Sequence, residues 1–191
     1  MKMVRLCKIT KSSRDYKAVK RIFLTAFPAC ERPPHPFMYL RSKCAGNDYL
    51  ALYDENTLVG MSYVIYGERV VYIFFLAIGE QHRSKGYGTS ALDAIIKEYG
   101  EGRTVVLAIE EMDERAENYP ERVRRLKFYE RYGFSMSGYK LREVNMVYDL
   151  LEYTKGADTA PKITPASYAE IPKIFLGKFL AKIFKMEIFK R

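Results

Sequence analysis

The run Arg83-Ser84-Lys85-Gly86-Tyr87-Gly88-Thr89 combines two cations with two glycines, residue types suited to holding a polyanion. Glycines have no Cβ, so a phosphate group can come close to the main chain there. Immediately before the run lies Val70-Val71-Tyr72-Ile73-Phe74-Phe75-Leu76-Ala77-Ile78, an unbroken apolar stretch that reads as a strand buried on both faces. After it, Gly88, Leu92, Ile95, Ile96 and Tyr99 recur at helical spacing and form one stripe of an amphipathic helix. In the order strand, basic turn, helix, the free N–H groups and the positive dipole end of the helix sit where an anion can dock. The run lacks the Gly-Lys-Ser/Thr ending of a triphosphate loop and the third glycine of a dinucleotide fingerprint. The chemistry implied is a diphosphate cradle of another kind.

About forty residues on, Phe128-Tyr129-Glu130-Arg131-Tyr132-Gly133-Phe134 reads as a helix end stopped by glycine and followed at once by a strand. The two segments together, in this order and with a strand and loop between them, resemble the signature motifs of the GNAT superfamily of acyl-CoA-dependent N-acyltransferases. The resemblance extends over about residues 5 to 150. It implies that Arg83, Ser84, Lys85, Gly86, Tyr87, Gly88 and Thr89 hold the pyrophosphate of coenzyme A through main-chain N–H groups. It also implies that the preceding strand splays from its neighbour and meets the pantetheine arm along Leu76, Ala77 and Ile78. Acetyl-CoA is then the co-substrate, and no metal is expected.

Moving an acyl group from a thioester to an amine makes three demands: a neutral amine, a donor for the oxyanion, and a proton for the departing thiolate. A phenol titrates near 10 and a thiol near 8.5, so a tyrosine stays protonated and able to donate at neutral pH. The resemblance puts Tyr129 beside the sulfur in that role, and the N–H of Leu76 at the oxyanion. The base is less defined. Family members that carry a glutamate on the strand before the cradle have it at the position of Tyr72 here. Glu110 and Glu111, past the next strand, and Glu31 and His35, in a proline-stiffened loop, are the carboxylates and imidazole left to take the proton or bind the acceptor. Many members also have an asparagine seven residues before the tyrosine. Here that residue is Arg122, with Asn118 upstream; Arg122 and Arg125 lie near one helical face, either on phosphate or in solvent.

The elements that must position these groups follow from pattern and punctuation. A first strand covers Arg5–Thr10; Ser12 and Ser13 offer caps for a helix whose Val19, Ile22, Phe23, Ala26 and Phe27 share one face until Pro28 ends it. A shorter helix reaches about Lys43. Strands at Tyr49–Tyr53 and Thr57–Tyr66 form a hairpin, and a turn at Gly67-Glu68-Arg69 leads to the apolar strand. Gly100-Glu101-Gly102 closes the cradle helix before a strand at Arg103–Ile109. Residues 110–120 read as an acidic loop, Glu121–Tyr132 as a helix, and Phe134–Asp149 as holding the last two strands. The expected fold is mixed α/β (α+β), a mostly antiparallel central sheet flanked by helices.

Residues 1–155 would form the acyltransferase domain and 156–191 a linker and basic amphipathic C-terminal helix. Its apolar stripe is Phe175, Leu176, Phe179, Leu180, Ile183 and Phe184. That stripe is expected to fold back on its own domain or on a second copy, as a homodimer; lying on a membrane surface or binding a partner is the alternative. The net charge is +9, and seven lysines and arginines against two glutamates place five of it from residue 161 onward. The remaining charge sits partly in the anion cradle, so nucleic acid is not the expected partner. Three cysteines without Cys-x-x-Cys spacing argue against a zinc site or disulfide scaffold, and no apolar run is long enough to span a membrane. With no secretory leader evident, a cytoplasmic enzyme is expected. Three functions compete: an N-acetyltransferase acting on a primary amine of a small molecule or peptide, a non-catalytic acyl-CoA-binding or sensor protein, and a membrane- or nucleic-acid-associated module driven by the basic tail.

Overall fold

The computed structural model describes residues 2–143, 146–155, 162–183 and 186–190, with the side chain of Lys178 set aside. The elements run β1 (Val4–Lys8), α1 (Tyr16–Ala26), α2 (His35–Arg41), β2 (Asn47–Asp54), β3 (Thr57–Tyr66), β4 (Val70–Ile78) and α3 (Tyr87–Tyr99). There follow β5 (Thr104–Glu110), α4 (Tyr119–Tyr132), β6 (Phe134–Glu143), β7 (Met146–Tyr153), α5 (Pro165–Tyr168), α6 (Glu170–Ile183) and β8 (Met186–Lys190). The strand order is β1-β2-β3-β4-β5-β7-β6-β8, mostly antiparallel, which is the mixed fold the sequence implies. Two compact units divide the chain: Met1–Ile65 with Ile73–Glu101, and Tyr66–Tyr72 with Gly102–Arg191. The division falls within β4. No helix among the described residues is long and apolar enough to cross a membrane.

In the first unit, β1 and β3 pair antiparallel with β2 on either side. One cluster joins Val4, Leu52 and Val59 of the strands to Tyr87 and Ala91 of α3, with Leu6, Leu76 and Ile78 packed against it. The end of β4 and the start of the cradle helix therefore share a core, which fixes the turn between them. A second core is aromatic: Phe23 of α1 lies edge-on to Phe75 at 5.2 Å and to Tyr49 at 6.5 Å. Burying a side chain of that size stabilises by about 2–3 kcal/mol. Gly60 is required by close approach, since a Cβ there would lie 2.4 Å from the Ala77 carbonyl oxygen.

Two expectations need revision here. Ser12 and Ser13 do not cap α1. The Ser13 hydroxyl accepts the Thr10 N–H at 2.9 Å and its carbonyl takes the Tyr16 N–H at 3.1 Å, a turn that leads into the helix, whose N-cap is Asp15. Local side-chain-to-backbone bonding of this kind competes with capping. The second revision concerns β4, which is buried on both faces only as far as Ile73. Beyond it Phe75 and Ala77 are buried, while Phe74, Leu76 and Ile78 are only partly so. The strand thus changes to a two-residue alternation as it nears the turn.

In the second unit, β7 pairs antiparallel with β5 and β6, and β8 adds to β6. Leu107, Leu141, Leu150, Leu151, Ile171 and Phe175 are buried. α4 begins at Tyr119, two residues earlier than expected, because Pro120 suits the first helical turn. The tail is held by two carboxylates: Glu152 accepts the Ile163 N–H at 3.0 Å, and Glu170 accepts the N–H groups of Glu68, Arg69 and Val70 at 3.0–3.2 Å. It is not a single helix to the end of the chain. Gly177, at φ 80°, breaks α6, and Met186–Lys190 is a strand paired with β6. Glycine alone takes that conformation freely, and alternation that buries Ile188 suits an edge strand. Ile171 and Phe175 fold inward, whereas Phe179 is 75% and Ile183 59% exposed. Phe184 and residues 156–161 of the expected linker lie outside the described residues, whereas its Thr164-Pro165-Ala166 part is not linker but the capped start of α5.

Candidate active site

The basic turn is open. Arg83, Ser84, Lys85, Gly86 and Thr89 are exposed, Gly88 is half-buried, and Gly86 holds φ 82° at the N-cap of α3. A Cβ at Gly86 would meet nothing within 4 Å, so conformation rather than crowding requires the glycine. Ser84 shares the left-handed region at φ 58°. The first bond of the helix runs from Ser90 N to Gly86 O at 3.2 Å, which leaves the N–H groups of Tyr87, Gly88 and Thr89 ahead of the helical ladder. The Tyr87 side chain turns inward instead, with its hydroxyl 2.6 Å from Asp54 Oδ2 and the Lys2 ammonium 3.8 Å over its ring. Only its main chain faces the turn. Arg83 Nε donates to Ile78 O at 3.3 Å and Lys85 Nζ to Gln81 O at 2.7 Å, so both cations are tethered beside the turn. Leu76, Ala77 and Ile78 lead into it from the half-open end of β4.

Loop residues of the same unit form a separate aromatic site. Glu31 lies half-buried in the short turn Ala29–Glu31. His35, the first residue of α2, is buried, no described residue partners its Nε2, and its ring is 5.7 Å from Tyr16 and 5.8 Å from Tyr49. Burial first, then Lys20 and Arg32, lowers its pKa, so the imidazole is neutral at pH 7.

In the second unit, Tyr129 is half-buried near the end of α4, its ring packed on Phe128 at 5.1 Å and Phe134 at 5.8 Å. No described residue bonds its hydroxyl. Burial raises its pKa, with Arg125 pulling weakly the other way, so the phenol stays protonated across the neutral range. Glu110 is committed to its own surroundings. Asn118 Nδ2 donates to it at 2.8 Å, Arg125 pairs with its second oxygen, and Arg122 Nε stands 3.9 Å away. Arg122 also donates to Asn118 Oδ1 at 2.8 Å and to the Glu111 carbonyl. Arg122, half-buried, thus ties the 111–118 loop to α4, whereas Arg125 is exposed, as one of the two expectations had it, with its charge on Glu110. Glu111 pairs with Lys140.

One carboxyl escaped the sequence reading. Glu143, at the end of β6, accepts the Tyr72 hydroxyl at 3.0 Å. Its only sequence signal was indirect, in that Tyr72 occupies the position where family members carry a glutamate.

The family model described as the acetyltransferase (GNAT) family matches residues 16–134, the larger part of the chain and a span that contains both motifs. The chain belongs to the GNAT acetyltransferase family. Among solved structures, a putative GNAT acetyltransferase from Bacteroides thetaiotaomicron superposes with TM-score 0.68 at 18% identity, covering 94% of this chain and 97% of that one. A GNAT acetyltransferase from Elizabethkingia anophelis with acetyl-CoA bound superposes with TM-score 0.55 at 14% identity, covering 78% and 97%. Naa50 of Arabidopsis thaliana, in complex with the bisubstrate analogue CoA-Ac-MVNAL, gives 0.57 at 16% identity and the same coverage. At these identities the likeness is one of fold. No curated protein sequence matches the chain. As a GNAT member the chain is an acyl-CoA-dependent acyltransferase by family, and among its described residues no group of His, Cys, Asp and Glu is placed to hold a metal.

Proposed function

We propose that this GNAT protein is an N-acetyltransferase that carries the acetyl group of acetyl-CoA to a primary amine of a small molecule or peptide, by direct attack in a ternary complex. The observation that supports it most is the open turn 83–89. Its left-handed Gly86 and unladdered helix N–H groups follow the strand end whose face is only half covered. These are fixed donors with two tethered cations beside them, the chemistry a diphosphate needs. On this reading Arg83–Thr89 hold the pyrophosphate and Leu76–Ile78 lie along the pantetheine arm. The Leu76 N–H meets the oxyanion, and Tyr129 gives its proton to the departing sulfur. Glu31, Glu110 and Glu111 border the acceptor; Glu110, already ion-paired, shapes the loop rather than touching the amine. A cytoplasmic setting fits the free thiols of Cys7, Cys30 and Cys44.

The test is thermal unfolding with and without acetyl-CoA, followed by thiol release across an amine panel. A ligand at a hundred times its Kd stabilises by about 2.7 kcal/mol, a rise of roughly 5–10 °C for a chain this size. No stabilisation would end the proposal. Stabilisation without transfer to any amine would leave an acyl-CoA-binding or sensor protein.

A further inference from the structure

The apolar stripe of the tail is divided by the fold. Ile171 and Phe175, ahead of Gly177, are buried, whereas Phe179 and Ile183, beyond it, are exposed. Gly177 takes φ 80° and ψ 161°, so the chain leaves the helical path there and resumes it in a new direction. Phe179 and Ile183 stand four residues apart in the resumed turns and therefore share one side of them. Five large apolar side chains are exposed among the described residues. Met3, Leu40 and Met146 stand singly in the sequence, which is ordinary for a surface; only Phe179 and Ile183 adjoin. Adjoining apolar groups mark a face that something covers.

Charge decides what covers it. Between Glu170 and Glu187 the sequence holds Lys173, Lys178, Lys182 and Lys185 and no carboxylate. Lys173 and Lys182 are exposed. Both flanking acids are engaged elsewhere: Glu170 accepts the N–H groups of residues 68–70, and Glu187 stands 3.4 Å from Arg142. Two copies of the chain meeting through this face would bring like charges together as water left, which opposes a homodimer there. A nucleic acid would use the lysines and stack on a ring, but an isoleucine offers it nothing. An anionic bilayer uses every group present. Phenyl and aliphatic side chains enter the boundary between headgroups and acyl chains, and ammonium groups stay among the lipid phosphates.

We propose that residues 173–183 are a docking surface for an anionic membrane, with Phe179 and Ile183 inserted at the interface and Lys173 and Lys182 among the headgroups. The segment is anchored on both sides, by buried Phe175 before it and by the pairing of β8 with β6 after it. A segment held in this way gives up little further freedom on binding, so two side chains and a few charges suffice for a reversible attachment. The attachment is peripheral, since no described helix is long and apolar enough to cross a membrane. Its electrostatic part grows with each lysine at the surface and is screened by salt. The proposal goes beyond the acetyltransferase reading and does not rest on it.

The experiment sediments the full chain with vesicles of phosphatidylcholine alone and with vesicles in which anionic phosphatidylglycerol makes up a third of the lipid. The parent is expected to bind the anionic vesicles at least about tenfold more tightly at low salt, and to lose most of that preference at 0.5 M. Phe179→Ser together with Ile183→Ser should weaken binding by about tenfold or more, because the inserted groups are gone. Lys173→Glu together with Lys182→Glu should abolish the preference for anionic lipid while the apolar pair stays in place. All four positions are exposed, so circular dichroism and urea unfolding should match the parent in both variants. Equal binding to the two kinds of vesicle, binding to neither, or a serine variant that binds like the parent overturns the assignment. So does a dimer, seen by light scattering, that the serine substitutions dissolve, for the face would then belong to a second copy. A DNA duplex bound by the parent and the serine variant alike, with no vesicle binding, would give the lysines to nucleic acid and overturn it too. Stabilisation by acetyl-CoA tests the acetyltransferase reading separately and bears on none of these outcomes.

Discussion

The turn at 83–89 and the cluster around Glu143 meet opposite demands. The turn is exposed, made of main chain, and depends on a glycine conformation and a helix start. The cluster is made of side chains from β4, β6 and α5, with Tyr72 and Tyr168 buried and Glu143 half-buried between strand end and core. Fixed main-chain donors suit a ligand that arrives charged and must be held. A desolvated carboxyl instead keeps its proton to higher pH, because burial raises its affinity for it. Tyr129 shares one trait with each, being half-buried like a core ring but with a hydroxyl that no described residue engages.

The largest effect should come from that hydroxyl. Tyr129→Phe is expected to lower kcat by about 10²–10³-fold, the scale of one proton donor, with acetyl-CoA affinity unchanged within about twofold. Steady-state kinetics with calorimetric binding checks both. Parent-like kcat would remove Tyr129 from the chemistry and leave only the turn on the binding side.

Next is Glu143, read through stability. Its folded value of about 7 lies above the ordinary 4.5, so between those pH values the folded chain keeps a proton that the unfolded chain has lost. Folding stability therefore falls as pH rises through that window and levels off above it. Glu143→Gln removes the loss. Its stability relative to the parent should rise by up to roughly 3 kcal/mol between pH 4 and pH 8, measured by urea unfolding. A difference independent of pH would mean that the carboxyl is not desolvated, and the contrast between the two regions would collapse.

These regions also differed in how far the sequence disclosed them. The turn was legible because everything it needs is contiguous: an apolar strand, two cations, two glycines and a helical stripe within thirty residues. The helix end that carries Tyr129 was legible for the same reason, stopped as it is by Gly133. Glu143 was not, since its partners are 71 residues away at Tyr72 and, at Tyr168, beyond β7. No local period marks a pair made across strands. The ties of the α4 arginines were hidden for a related reason, because Arg125, although exposed, answers a charge fifteen residues earlier, at Glu110. The tail was half legible. Of the expected stripe Phe175 is buried but Phe179 and Ile183 are exposed, since Gly177 breaks the helix between them, and five residues that alternate at the end of an apolar run carry little strand signal.

A smaller effect is expected at the turn itself. Gly86→Val places a β-branched residue at φ 82°, which costs roughly 1–2 kcal/mol and should move the main-chain donors. Acetyl-CoA should bind about tenfold more weakly by calorimetry, with the pH dependence of folding stability unchanged. If that dependence changed too, the two regions would not be separable.

The smallest effect sharpens the claim that main chain, not side chain, does the holding. Lys85 is exposed and its ammonium already rests on the Gln81 carbonyl, so its charge reaches an anion through solvent. Exposed charges act weakly and fade once the screening length falls below their separation. Lys85→Ala should weaken acetyl-CoA binding by about two- to fourfold at 20 mM salt and by almost nothing at 0.5 M, whereas the Gly86→Val loss should persist at both. A Lys85→Ala loss that equals that of Gly86→Val and survives high salt would show the ammonium in direct contact with phosphate. The turn would then be a cation site on a flexible loop, and its left-handed glycine a detail of chain geometry rather than the feature that binds.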